Sequence, residues 1–568
     1  MRDLPFADLH CHPTLYSFNR MRNSAAEKDR QQFHPWRECQ SDVGKMKVGA
    51  RATHYNQANF ARQLAAGVKV AYFSFTPIEK GFFIGSAHGR DRPFPKALQD
   101  WIQGNTPRQA ARKALFGDYD GAIRELLGLI RNDGPLRQLV QKFVMDYPLD
   151  RVKFLSSSSY DYWDELLKEY EFIQKGERKK NLVYFETPEG KKKGEGCYRI
   201  VESLADFEAS LSKADDLALL LTIEGGHVFS VRPDLEPHDL ATCLERIQKL
   251  KSWEHPILFL TLAHHFYNGL CGHAHSLIDA ADWIMDQEYG LNEGIDLERG
   301  LPVIRELLDL DENNFDRGGK RILIDIRHMS AQSRKEYYDL VVRPYNEFWE
   351  KQPPRTQRRY PKIAVLMSHG AYTGVGTLDD LIAHQDEESD HWRRDGFYAW
   401  NINLCDEDVE MIFASQGLAG ICFDRRIVGV RSSDKLTPEL EADALIRQIF
   451  AIVDVIMLDD RIEDKEKARI WDCVCIGSDY DGVIHPVQRY ATALDLPSFA
   501  EDLRAKLKKE AHTRMIAEIG VDRILEKVLF ENAVEFARRN LPAACGEATT
   551  KKKKKKTPNV TKKAEEAL

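Results

Sequence analysis

Eight short apolar runs punctuate the chain, each bounded by polar or glycine positions: 4–10, 68–75, 217–226, 256–265, 321–328, 362–369, 418–423 and 474–479. Within them the apolar positions are nearly continuous rather than alternating, as in "VKVAYFSF" and "LALLLTIEGG", the pattern of strands buried on both faces. Stretches with helical spacing lie between most of them. One is "SAQSRKEYYDLVVRPYNEFWEK" (330–351); another is "LCDEDVEMIFASQG" (404–417), acidic at its start and ending at Gly417. Strand alternating with helix around eight strands predicts an α/β fold, a (β/α)8 TIM-like barrel. An open doubly wound sheet is the structural rival, because it is built from the same repeating unit.

The interval between the second and third runs is too long for one crossover helix, which predicts an insertion at about 77–215. Its 96–148 portion has repeated helical spacing and its 173–201 portion reads as a charged hairpin, together a cap over one barrel end or an outer lobe. The barrel, insertion included, is expected over 1–545. Residues 546–568, with six consecutive lysines, are expected to form a disordered tail.

Composition narrows the function classes. A chain of 568 residues, 43% hydrophobic, can bury a sizeable core. Its net charge of −8 gives no compositional support for nucleic-acid binding. Ten cysteines without a CxxC pair read as reduced thiols, so a cytoplasmic location is expected. No run reaches the ~18 apolar residues of a membrane span. Nor is a cleaved leader expected, since removal of ~15–30 residues would discard His10 and His12.

Those two histidines open the chemical argument. The polar residues that end the apolar runs are His10 and His12, Glu224, His264 and His265, His328, His369, and Asp479. Six of the eight runs thus end in a histidine or carboxylate, at the end where a barrel builds its active site. In "HCH" the period of two puts both imidazoles on one strand face. Glu224, placed after an apolar run, is costly to bury unless it is paired or bound to a metal. Imidazole and carboxylate donors together suit zinc, with other divalent metals as alternatives, and predict metal-assisted hydrolysis.

In their order "DLHCH", "IEGGH", "TLAHH", "DIRHMS", "MSHGAY" and "GSDYDG", these motifs resemble peptidase family M19, the renal or membrane dipeptidases of the amidohydrolase superfamily, over about residues 5–540. The resemblance implies a barrel of the metal-dependent hydrolase type holding two Zn2+. His10 and His12 would hold one ion, His328 and His369 the other, and Glu224 would bridge them. It further implies Asp479 as the general base and a strand-four histidine as the oxyanion support. "TLAH" points to His264 for that role, and the spacing to Asn268 points to His265. The expected substrate is a small molecule, a dipeptide or related amide, with no nucleic-acid or membrane partner and a homodimer by family analogy.

Two departures qualify this. The family usually has His-x-Asp where this chain has His-x-His, and Ile402 in "INLCD" occupies the place of an arginine expected to grip the dipeptide carboxylate. Arg393 and Arg394, just upstream, are the candidate replacements. Two other readings stand beside the hydrolase: a PHP-type metal phosphoesterase, which also opens with "DLHCH", and a catalytically altered barrel using its insertion as an interaction platform.

Overall fold

The computed structural model describes residues 4–23, 32–39, 56–82, 151, 154–187, 190–277, 287–384, 393–394, 396–430, 437–482 and 484–542. The described strands, in chain order, are β1 (Phe6–Cys11), β2 (Val68–Phe75), β3 (Asn181–Thr187), β4 (Gly190–Ile200), β5 (Asp216–Glu224), β6 (Ile257–Thr261), β7 (Leu323–Asp325), β8 (Leu366–Gly370), β9 (Arg393–Arg394), β10 (Phe397–Tyr398), β11 (Leu418–Ile421) and β12 (Val474–Ile476).

Eight of these run in the order β1-β2-β5-β6-β7-β8-β11-β12, each parallel to the next. The sheet then closes on itself. Cys11 bridges Tyr480 in parallel, the Asp479 N–H donates to the His10 carbonyl at 2.9 Å, and the His12 N–H donates to the Tyr480 carbonyl at 2.9 Å. Closure leaves no free edge and distinguishes a (β/α)8 barrel from the open doubly wound sheet. Its strands are buried along their whole length except at Lys69 of β2, and the helices between them pack their apolar faces into the same core.

Each of the eight apolar runs contributes one of these strands, generally shorter than the run itself. The seams at β7 and at β1 show why. Asp325 accepts the Ser368 N–H at 2.9 Å and the Thr261 hydroxyl at 2.7 Å, while Asp8 accepts the Ser478 N–H at 2.9 Å. Side-chain carboxyls stand in for ladder carbonyls there, satisfying buried N–H groups that a longer strand would otherwise pair. Burial pushes both carboxyls above the usual range.

Close approach on the inside of the barrel has a sequence requirement. A Cβ at Gly420 of β11 or at Gly477, just past β12, would stand 1.9 Å from the Ser368 carbonyl oxygen, beside the β8 histidine His369. Gly420→Ala is therefore expected to destabilise the protein by about 2 kcal/mol or more, as overpacking of a filled interior does, read as a lowered denaturant midpoint at unchanged m.

Between β2 and β5, β3 and β4 form an antiparallel hairpin, and Cys197–Ile200 of β4 pairs in parallel with Asp216–Leu219 at the start of β5. The 96–148 portion of the insertion and the 546–568 tail lie outside the described residues. The helix expected from 404–417 forms over Asp406–Ser415, with Gln416 as its left-handed cap. The nine described cysteines are free. No described helix is long and apolar enough to cross a membrane.

Candidate metal centre

Glu224 is the last residue of β5, almost fully buried, and its carboxylate is the point on which the histidines converge. Oε2 lies 3.2 Å from His12 Nε2 and accepts the Thr76 hydroxyl at 3.0 Å. Around Oε1 stand four more Nε2 atoms, those of His10 at 3.4 Å, His369 at 3.5 Å, and His328 and His264 at 3.6 Å. These imidazoles come from the ends of β1, β8, β7 and β6, so barrel closure alone brings residues 10 and 369 into ring stacking, with centroids 4.1 Å apart.

The donor set fits divalent ions. His10 Nε2 and His12 Nε2 are 3.1 Å apart, which two bare imidazole nitrogens tolerate only around a shared proton or cation. Two nitrogens held tetrahedrally at about 2.0–2.1 Å from zinc stand roughly 3.3 Å from each other, close to the spacing found. Tautomers are prepared for this. His12 Nδ1 lies 3.0 Å from the Ser74 carbonyl, to which only an Nδ1–H can donate, so the neutral ring turns the lone pair of Nε2 inward; His369 Nδ1 pairs with the Ser368 hydroxyl at 2.9 Å. Four groups of three bring ligand atoms within 4.8 Å of one another: His10, His12 and Glu224; His10, His369 and Asp479; Glu224, His264 and His328; and Glu79, His227 and His264.

Asp479 completes the ring from beyond β12. Its Oδ1 is 3.5 Å from His12 Nε2 and 3.8 Å from His10 Nε2, and its Oδ2 is 3.9 Å from His369 Nε2. Both Asp479, with φ 60°, and His328, with φ 66°, adopt the left-handed backbone region that disfavours most side chains. Strain of this kind concentrates where a side chain must be aimed rather than packed.

Charges within the cluster are strongly interdependent. Burial works against the imidazolium of His12, yet Asp479 and Glu224 raise it to about 10. Burial also opposes ionisation of Glu224, while His264 and His10 hold its carboxyl well below the usual range. Burial pushes His328 down to about 3 and His369 well below the normal imidazole range.

Of the two adjacent histidines, His264 faces Glu224, and its Nδ1 lies 2.6 Å from Glu79 Oε1. His265 turns away, pairing its Nδ1 with the Ser276 hydroxyl at 2.7 Å, although both residues line the cavity above the cluster. Burial opposes charge on His264, but Glu224 and Glu79 raise its affinity for a proton.

Glu79 escaped the sequence reading. It lies four residues past β2, inside the span given to the insertion, although a carboxylate just after an apolar run was the very signal used for Glu224. Buried, it accepts the His265 N–H at 3.1 Å and has His227 Nδ1 at 3.8 Å, while His227 Nε2 is held by the Pro77 carbonyl at 2.9 Å. Arg327, within "DIRHMS", is also absent from the sequence-derived site, whose candidate cations are Arg393 and Arg394. Ile402 is fully buried in the core; its carbonyl, rather than its side chain, meets the site by accepting from Arg327 Nη1 at 3.1 Å. Arg393 and Arg394 form β9 and pair with β10; their side chains lie outside the described structure.

No protein-family model and no curated protein matches the sequence. Among solved structures the chain is distantly similar to a metallo peptidase from Rhodobacter sphaeroides, liganded with a phosphinate mimic of the dipeptide L-Ala-D-Ala, at 13% identity and TM-score 0.45, covering 94% of this chain and 99% of that one. It is similar to a dipeptidase AC, a metallo peptidase of family M19, at 12% identity and TM-score 0.46, covering 95% and 100%. A probable dipeptidase, PvdM, from Pseudomonas aeruginosa matches at 12% identity and TM-score 0.38, covering 85% and 89%.

Proposed function

We propose that this protein is a metal-dependent hydrolase of a peptide or related amide bond, working with two divalent ions for which the donor set favours zinc. The observation that carries this reading is the convergence of five imidazole Nε2 atoms, at 3.2–3.6 Å, on the single buried carboxylate of Glu224. A structural role does not call for so many imidazole nitrogens converging on one carboxylate, whereas ion binding does.

His10, His12, Glu224, His328 and His369 would hold the ions. When bound, the ions supply Lewis acidity and a water activated near neutral pH. Asp479 takes the proton of the attacking water on a carboxylate oxygen and delivers it to the leaving amine. His264, oriented through Nδ1 by Glu79, donates from Nε2 to the carbonyl oxygen as negative charge develops there. His265 walls the cavity beside it, its ring edge-on to His328 with centroids 5.0 Å apart.

The test is metal analysis of the purified protein followed by a panel of dipeptides, capped amides and phosphoesters. Two zinc-class ions per chain with amide cleavage is the expected result; phosphate release without amide cleavage would overturn the reading. Glu79→Gln keeps the shape of the side chain but not the charge that holds His264. It is expected to lower kcat by roughly 10- to 100-fold, the usual effect of losing an outer-shell partner, with metal content unchanged.

A further inference from the structure

β3 is the outer strand of its hairpin. Its pairing with β4 runs from Asn181 opposite Gly196 to Thr187 opposite Gly190, and among the described residues no strand lies along its other side. One face of the hairpin is covered by the helix Phe60–Ala66. Phe185 is buried with the Arg62 guanidinium 4.7 Å from its ring centroid, and a Cβ at Gly194 would stand 2.0 Å from the Ala61 carbonyl oxygen. The opposite face is bare, with Leu182 47% and Tyr184 56% exposed.

An edge strand with free N–H and C=O groups and exposed apolar side chains is a template for another strand, and soluble proteins usually blunt such edges with lysine, proline or a bulge. β3 has none of these. Its register with β4 is unbroken, no lysine or proline falls within 181–187, and the lysines at 191–193 stand on β4, the inner strand.

The order of residues says what pairs there. Residues 180–186 read Lys-Asn-Leu-Val-Tyr-Phe-Glu. Set antiparallel to a copy of itself with Val183 opposite Val183, the segment places Leu182 across from Tyr184, and position 180, a lysine, across from position 186, a glutamate, each twice by symmetry. Apolar meets apolar and base meets acid along the outward face, the pairings that stabilise a sheet. Centring the pair on Tyr184 instead would set Leu182 across from the glutamate and lose the charge match.

We infer that β3 is a self-association edge. Two chains join β3 to β3 about a two-fold axis at Val183, forming one antiparallel sheet of four strands in which Leu182 of each chain is covered by the partner's Tyr184. This stands apart from the hydrolase reading, because β4 enters the barrel sheet beside Asp216–Leu219 at the start of β5, whereas Glu224 is its last residue.

Sedimentation equilibrium of the full chain over about a hundredfold range of concentration measures the association, with hydrogen exchange at the β3 amides recorded at both ends of the range. Wild type is expected to approach twice the chain mass with a micromolar Kd, as suits a small interface, and its β3 amides should exchange at least about tenfold more slowly when concentrated. L182K/Y184K sets lysine across from lysine and should weaken association by roughly a hundredfold; L182K/Y184E sets lysine across from glutamate in the same register and should restore it to within about threefold of wild type. Both positions are exposed, so circular dichroism and metal content should match wild type in each variant. A wild type that stays monomeric overturns the inference, including one whose edge instead binds an extended peptide or anionic phosphatidylserine vesicles. Undiminished association of L182K/Y184K overturns it by placing the contact elsewhere, and failure of L182K/Y184E to recover overturns the Val183 register. Loss in the first variant and recovery in the second, with the β3 amides protected again, upholds it.

Discussion

Asp479→Asn is expected to keep close to the wild-type metal content and to lower kcat by about a thousandfold, within the range that a positioned acid–base group contributes. Asparagine suits the test for a structural reason. Asp479 has φ 60°, a conformation that asparagine adopts at least as readily as aspartate, so the turn beyond β12 should survive the exchange. Its backbone N–H still donates to the His10 carbonyl, preserving the closure that carries two of the histidines. What disappears is the basic oxygen. The measurement is kcat beside zinc stoichiometry on the same preparation, and wild-type turnover in Asp479→Asn would remove the residue from its assigned role.

Glu224→Gln should have the opposite signature, losing metal and activity together. Its carboxylate is the common neighbour of five imidazole nitrogens, and the neutral carboxamide offers one oxygen acceptor where two anionic oxygens stood. The variant is expected to retain fewer than one zinc per chain after dialysis and to fall by at least a thousandfold in activity, as loss of the activated water requires. Zinc content by elemental analysis reads the first effect directly. Full loading of Glu224→Gln would show that the ions, if bound, do not share this carboxylate. Together the two substitutions separate holding the ions from moving the proton.

The legibility of the site followed from where its residues stand along the chain. His10, His12, Glu224, His369 and Asp479 each lie at or just beyond an apolar strand, and polar groups at the end of a buried strand need a reason to be there. Glu79 and Arg327 meet the same description. They escape for different causes, Glu79 because it falls inside the span given to the insertion, and Arg327 because the candidate cations lie just upstream of Ile402, at Arg393 and Arg394. Arg327 is the more instructive case. Its adjacency to His328 is visible in the chain, but that its guanidinium meets the Ile402 carbonyl is visible only in the fold.

Choosing between His264 and His265 likewise needed the third dimension. Neighbours in sequence beyond a strand end point in different directions, and only the placement of Glu79 and Ser276 shows which ring faces Glu224. Ile402 carries the same lesson in reverse. As a letter it removed a cation from an expected place; in the fold, its carbonyl steadies the guanidinium of Arg327.

By itself the sequence determined the eight-strand α/β periodicity and the set of histidines and carboxylates at the strand ends, because burial of a parallel strand on both faces leaves a continuous apolar run that stops where polar chemistry begins. Tertiary structure decided the closure of the sheet between β12 and β1, the convergence on Glu224, the backbone strain at His328 and Asp479, and the contact of Arg327 with the Ile402 carbonyl. Those features are relations between residues hundreds of positions apart. Local propensity does not record them, and only the packed barrel brings them within a few ångströms of one another.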